Sequence, residues 1–140
     1  MDERPDLRIA IVADPAAPRG LLANAVGVVA VGLGALQPAI GAQPLVDRGG
    51  RTFHSSATIG LPVLEADAAA LTALLDRALH APGVDAVIAF PQFARSLHDF
   101  VVYRAELAAR DLADEPLAAL GLVGRDAAVR ALTRPLRLLR

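Results

Sequence analysis

Residues 20–36 form a run of seventeen side chains in which only Asn24 is polar and none is charged. No chain leaves such a run on a wet surface without a use for it. It goes into a core, into a bilayer or against a partner. Seventeen residues stand at the short limit for crossing a hydrocarbon layer about 30 Å thick, and Gly27, Gly32 and Gly34 interrupt the run. The expectation is a core helix over 19–36, apolar nearly all round and covered on most sides, with no membrane involved. Ala23 with Gly27, and Ala30 with Gly34, place small residues one turn apart. That spacing lets a second backbone approach closely, from the sheet or from a partner subunit.

The flanks of the run supply the rest of the frame. Residues 7–13 read as a strand, and Asp14-Pro15-Ala16-Ala17-Pro18 breaks it, with Pro18 suited to a first helical turn. Residues 37–60 are rich in Gly, Pro, Ser and Thr. Within them, Asp47-Arg48-Gly49-Gly50 between Leu45-Val46 and Thr52-Phe53 reads as a hairpin. A short strand is expected over 61–64. A helix over 67–80 follows, with Leu71, Leu74, Leu75 and Ala78 on one face and Pro82-Gly83 as its stop. Residues 84–90 and 117–123 are nearly continuous apolar runs, as in strands covered on both faces. Between them a helix over 93–110 should turn Leu97, Phe100, Val101, Ala105 and Ala108 inward, with Glu106 and Arg110 as an exposed pair. A last helix is expected over 126–132. Strands alternating with helices predict one domain, an α/β fold: a three-layer α/β/α sandwich on a mostly parallel (mixed) sheet.

Composition removes several kinds of chemistry. The 140 residues are 54% apolar and 21% charged with a net charge of −1, so a folded core is expected and no global field draws nucleic acid. There is no cysteine, which excludes thiol catalysis, disulfides and thiolate metal sites. All fourteen basic residues are Arg. With no lysine there is neither Schiff-base chemistry nor a P-loop lysine, because guanidinium stays protonated. Five of the arginines (Arg125, Arg130, Arg134, Arg137, Arg140) are spaced through the last sixteen residues and read as a solvated surface. The charged start Met1-Asp2-Glu3-Arg4-Pro5 is unlike a secretory leader, and the cytoplasm is the expected location.

Two stretches carry a resemblance. Near the start, Arg19-Gly20-Leu21-Leu22-Ala23-Asn24-Ala25-Val26 follows the first strand. Toward the end, Gly121-Leu122-Val123-Gly124 precedes Ala131-Leu132-Thr133-Arg134-Pro135-Leu136-Arg137-Leu138. With Thr58-Ile59-Gly60-Leu61-Pro62-Val63-Leu64 before Ala66-Asp67, these stretches resemble a bacterial family known as domain of unknown function 2000. That family is similar in fold to type-two peptidyl-tRNA hydrolase. The resemblance therefore implies a hydrolase-like fold and a site where strand one meets helix one. Gly20 matches the Gly that starts the hydrolase helix, Leu21 stands where its Lys belongs, and Asn24 lies near its Gln. Thr133, Leu136 and Leu138 fit the hydrolases' terminal segment, in which Arg137 replaces a Lys and Arg134 a Gly. Phe90-Pro91 stands where the hydrolases carry an Asp-bearing loop, so their chemistry does not carry over.

Asp14, Arg19, Gly20 and Asn24 are thus the candidate ligand-binding residues. In an open α/β sheet, ligands favour the crevice beyond the carboxyl ends of the strands, and a helix start offers free N–H groups to an anion. Asp14 and His54 are the candidate catalytic residues, His54 because it stands among Ser55, Ser56 and Thr58. His98-Asp99 lacks a further ligand at metal spacing, Asp99 is expected to pair with Arg95, and neither a metal nor a cofactor is expected. His80 suits the carbonyl end of its helix. Gly32-Leu33-Gly34 lies inside a helix and is no dinucleotide loop. Phe90, Phe93, Phe100 and Tyr103 cluster around the helix over 93–110 and are expected to pack as core, except for Tyr103, whose hydroxyl needs a partner or water.

Three functions follow as expectations. The first is a non-hydrolytic binder of a small anionic or nucleotide-like ligand at the strand-one/helix-one corner. The second is a hydrolase related to peptidyl-tRNA hydrolase, with Asp14 or His54 activating water and Arg19 or helix-start N–H groups steadying an oxyanion. The third is a structural or interaction role as a homodimer.

Overall fold

The structure, a computed structural model, describes residues 6–140. The charged segment at residues 1–5, on which the expected location rests, lies outside the described residues. Strands β1 (Leu7–Ala13), β4 (Val63–Glu65), β5 (Val84–Pro91) and β6 (Leu117–Arg125) form one sheet in the order β4-β1-β6-β5. Strands β2 (Pro44–Val46) and β3 (Thr52–His54) make a separate two-stranded hairpin. The helices are α1 (Arg19–Leu36), α2 (Ala68–His80), α3 (Phe100–Ala108) and α4 (Asp126–Thr133).

The sheet corrects the mostly parallel expectation. Only β1 and β4 run parallel; β6 lies between β1 and β5 and is antiparallel to both. Its apolar run signals a central strand covered on both faces, not a parallel one. Leu117 to Gly124 are all buried. Register shifts leave Asp85 and Ala118 as the extra residues of two bulges. The second lets Leu117 join the cluster on the α2 side while Ala118 and Ala119 both join the cluster on the α1 side.

Each face of the sheet has its own apolar cluster. One joins Ala10, Val12, Leu120 and Leu122 to Leu71, Leu74, Leu75 and Ala78 of α2 and to Val129 and Leu132 of α4. The other joins Ile9, Ile11, Ala119 and Val123 to Ala25, Val29 and Leu33 of α1. Gly121 lets α1 come this close, since a Cβ there would lie 2.6 Å from Val29 Cγ1. Residues beyond α4 cover the outer edge of β4. The Glu65 N–H donates to the Arg137 carbonyl at 3.0 Å and the Leu139 N–H to the Val63 carbonyl at 2.9 Å. The Arg137 guanidinium also bonds the Glu65 carboxylate. Among the described residues, no strand lies beside the outer edge of β5.

Two helices differ from expectation. α1 has the expected bounds but is not covered on most sides. Only Ala25, Val29 and Leu33 are buried, while Leu21, Val28 and Leu36 are exposed and Val31 is 74% exposed. Among the described residues it is the one α-helix packed on that face, beside the short 3-10 segment that carries Ile40, so only one stripe of it meets the sheet. The helix expected over 93–110 is two pieces. A 3-10 segment over Gln92–Ser96 ends before Asp99, whose carboxylate accepts the Val101 and Val102 N–H groups and caps a new helix, α3. Asp99 is thus a cap and not a partner of Arg95. No α3 residue is buried, and Phe100 and Val101 face solvent. Phe93, Phe100 and Tyr103 do meet, with ring centroids 5.9 and 6.2 Å apart, but as a surface cluster with Arg110 over Phe93 and not as core.

Candidate functional site

At the corner where β1 hands over to α1, the Asp14 carboxylate is buried and accepts the Ala16 N–H at 2.9 Å, while its carbonyl accepts the Ala17 N–H. Asp14 therefore shapes the turn. Arg19 and Gly20 open α1 in solvent, and a Cβ on Gly20 would touch nothing within 4 Å. Pro18 provides no side-chain cap, and the first turn of α1 holds no acid. The helix start thus keeps its N–H groups free for an anion, with Arg19 beside them. Asn24, one turn on from Gly20, is exposed.

His54 is elsewhere. Ile9, at the start of β1, and Leu33 and Gly34, near the end of α1, line one cavity, so α1 runs back along β1. The segment carrying His54 lies at that end, away from Asp14. His54 is exposed in β3 opposite Pro44. The Ser55 hydroxyl accepts the Gln43 N–H and donates to the Ser56 carbonyl, each at 3.0 Å. No hydrogen bond joins Ser55 to His54 among the described residues, and the structure does not bring Asp14 and His54 together.

The shared cavity itself was not anticipated. It has a volume of about 490 Å³ and lies between the second half of α1 and the loops that lead into and out of the β2–β3 hairpin. Ile9, Ala30, Leu33, Ile40 and Leu61 form its apolar wall, and Ser55 and Ser56 its polar side. Among the described residues, no titratable side chain lines it. Ala42, also in the lining, has a φ of 59°, a left-handed backbone that alanine rarely adopts. Such strain persists only where the surroundings impose it, and here the Ala42 N–H donates to the Ser55 carbonyl at 3.2 Å. The sequence signalled an irregular segment through its Gly, Pro, Ser and Thr content. Nothing local marks Ala42.

The titrating groups that the fold perturbs lie away from both places. Asp47, at the hairpin turn, is held below the usual carboxylate range by the Arg51 N–H first, then by its guanidinium and the N–H groups of Gly49 and Gly50. Hydrogen bonds that the Arg110 guanidinium donates to Glu115 and Glu106 raise Arg110, and burial raises Tyr103. Hydrogen bonding from Arg130, aided by Arg8, lowers Asp126. His80 bonds the Asp76 carbonyl near the end of α2, at 2.8 Å. Among the described residues, no three His, Cys, Asp or Glu side chains gather as metal ligands. Acids break up the run of C-terminal arginines, Asp126 pairing with Arg130 at 2.7 Å and Glu65 with Arg137.

The fold and these sites define a small mixed α/β protein, its sheet mostly antiparallel with one parallel pair, carrying an apolar cavity under a hairpin. The chain belongs to the family described as "Protein of unknown function (DUF2000)", whose profile matches residues 7–140. Among solved structures it is similar to the protein of unknown function Atu0240 from Agrobacterium tumefaciens strain C58. The two are 16% identical, with a TM-score of 0.86 over 95% of this chain and 97% of that one. At that identity the likeness shows a shared fold. No curated protein matches the sequence.

Proposed function

We propose that this protein binds a small, mainly apolar molecule in the cavity between α1 and the base of the hairpin, without catalysing its conversion. The cavity carries the reading. Its volume of about 490 Å³ lies within the range of small-molecule sites, roughly 300–1,000 Å³. Its wall offers apolar side chains, backbone groups and serine hydroxyls, and no acid or base to move a proton. The strained Ala42 backbone in the lining fits a segment held in shape for a ligand.

The test uses an uncharged solvatochromic dye such as Nile red. Saturable binding with a blue-shifted emission is expected. Ala30→Leu, which fills the cavity from α1, should weaken binding about tenfold or more while the circular dichroism spectrum is unchanged. Unsaturable binding, or equal affinity in Ala30→Leu, would remove the reading.

The uncapped, acid-free start of α1 favours a second reading, a small anion held by its N–H groups and Arg19 beside Asn24. Inorganic phosphate followed by titration calorimetry checks it, and an affinity unaltered by Arg19→Ala would end it. Hydrolysis by a water on Asp14 or His54 draws less support. Asp14 is committed to its turn, and His54 stands at the other end of α1, where no hydrogen bond to an acid orients it among the described residues. Likewise, the hydrolase-like three-layer sandwich is supported only by the placement of α1 and the α2–α4 pair against opposite clusters.

A further inference from the structure

We propose that the outer face of α1 docks a second copy of this chain, the two helices packing antiparallel across a twofold axis. Along that face Gly20, Asn24, Gly27 and Val31 follow one another at steps of four, three and four residues, and all four are exposed. Alternating steps of this kind keep one seam of a helix facing one partner helix. Leu21 and Val28 flank the seam and are exposed too.

The surface area argues for an occupant. A folded monomer of 14.5 kDa exposes roughly 6,900 Å² by the scaling of surface with mass. This chain exposes 8719 Å². The excess is spread over the chain, with the hairpin and α3 contributing beside the outer face of α1, and it is larger than the approximately 800 Å² that each partner gives to a standard interface. The helix face alone, about 27 Å long and 10 Å wide, is too small for such an interface. The hairpin, whose flanking loops share a cavity with the second half of α1, leaves Leu45, Val46 and Phe53 exposed and offers further apolar area.

The chemistry of the seam selects a second copy. It carries no charge, so neither an acidic nor a basic partner finds complementarity there. It is complementary to itself when reversed, because an antiparallel partner sets the bulky Val31 against the partner's Gly20, and Asn24 against the partner's Gly27. In that register the two Asn24 amides come within reach of each other near the axis, a polar contact that fixes register. Reversed helices also oppose their dipoles. A bilayer is the competing occupant, since α1 is the one described helix long and apolar enough to cross one. Insertion would pull Ala25, Val29 and Leu33 off the sheet, and Arg19 is its only basic residue, whereas interfacial helices carry a Lys- and Arg-rich polar face.

Light scattering and sedimentation of the full chain from about 1 to 100 μM test the proposal; a mass twice the monomer's is expected. Val31→Arg adds charge at a position exposed in the monomer and should weaken the dimer about tenfold or more. A Cβ at the exposed Gly27 would meet no atom within 4 Å in the monomer, so Gly27→Leu starts into open space. It should dissociate the dimer while raising the helicity of the monomer, a pair of signs that misfolding would not give. A monomer at all concentrations, or a dimer indifferent to both variants, would overturn the proposal. So would sedimentation of α1-dependent protein with phosphatidylcholine–phosphatidylserine vesicles in place of a dimer. Nile red binding by monomeric Val31→Arg reports on the cavity separately.

Discussion

α1 and α2 pack on opposite faces of the same sheet and use their apolar residues differently. α2 is thirteen residues long and buries four, Leu71, Leu74, Leu75 and Ala78, on one stripe. Its other faces carry Asp76, Arg77 and His80. The Asp67 carboxylate accepts the Ala70 N–H at 2.9 Å and caps its start. α1 is eighteen residues long and buries only three, has no side-chain cap, and turns further valines and leucines outward. An amphipathic helix is complete once one stripe is covered. A helix apolar all round is not, and its surplus indicates a surface that a monomer leaves unsatisfied.

The sharpest way to break this contrast is to truncate one residue on each helix. Leu74→Ala should cost about 3 kcal/mol and lower Tm by roughly 10 °C, because Leu74 is fully enclosed. Val31→Ala should leave the stability of the monomer within about 0.5 kcal/mol. Equal losses at the two positions, measured by urea unfolding, would mean that α1 is covered after all.

The caps give a smaller effect. Asp67→Ala should cost about 1 kcal/mol by removing an acceptor from the first turn of α2. Hydrogen exchange in that turn should rise while α1 is unaffected, and a uniform change across both helices would show the cap to be unimportant.

The smallest effect concerns charge. Hydrogen bonding from Arg130 and the charge of Arg8 hold Asp126 below its ordinary value, so its folded value lies under its unfolded one. Its contribution is present above the unfolded value and is lost as pH falls through the folded one. Acid titration of stability followed by fluorescence-detected urea melts should be slightly shallower in Asp126→Asn than in the parent. An identical acid limb would show that the Arg8–Asp126–Arg130 contacts add nothing.

The first strand, both long helices, the hairpin and α4 were legible in the sequence because each carries a local signal: an apolar period, a proline, a cap or a turn glycine. The direction of the sheet was not. It depends on β6 pairing Gly121 with Ile11, across more than a hundred residues, and no local pattern encodes that. The break at Asp99 was legible in principle, since an aspartate before an apolar run is a helix-start signal, but the apolar residues on either side concealed it. The burial expected of α1 failed because an apolar sequence reports a need for cover and does not say what provides it. At the candidate site, the exposed helix start with Arg19, Gly20 and Asn24 follows from a proline and a glycine. The cavity depends on Ile9, Ala30 and Leu61 arriving from three separate segments, with Ala42 in a backbone shape its side chain does not announce.

The placement of β6 also bears on synthesis. β1 and β5 meet only through it, so a ribosome that has released residues 1–116 has delivered two strands that share no partner. Both clusters draw residues from β6. The four-stranded sheet therefore cannot be completed before β6 emerges. β1 can pair with β4 earlier, but β5 has no strand beside it, and both clusters lack their central strand, until residue 125 is free of the exit tunnel. Nascent-chain protease sensitivity should accordingly persist to that length and then drop in one step.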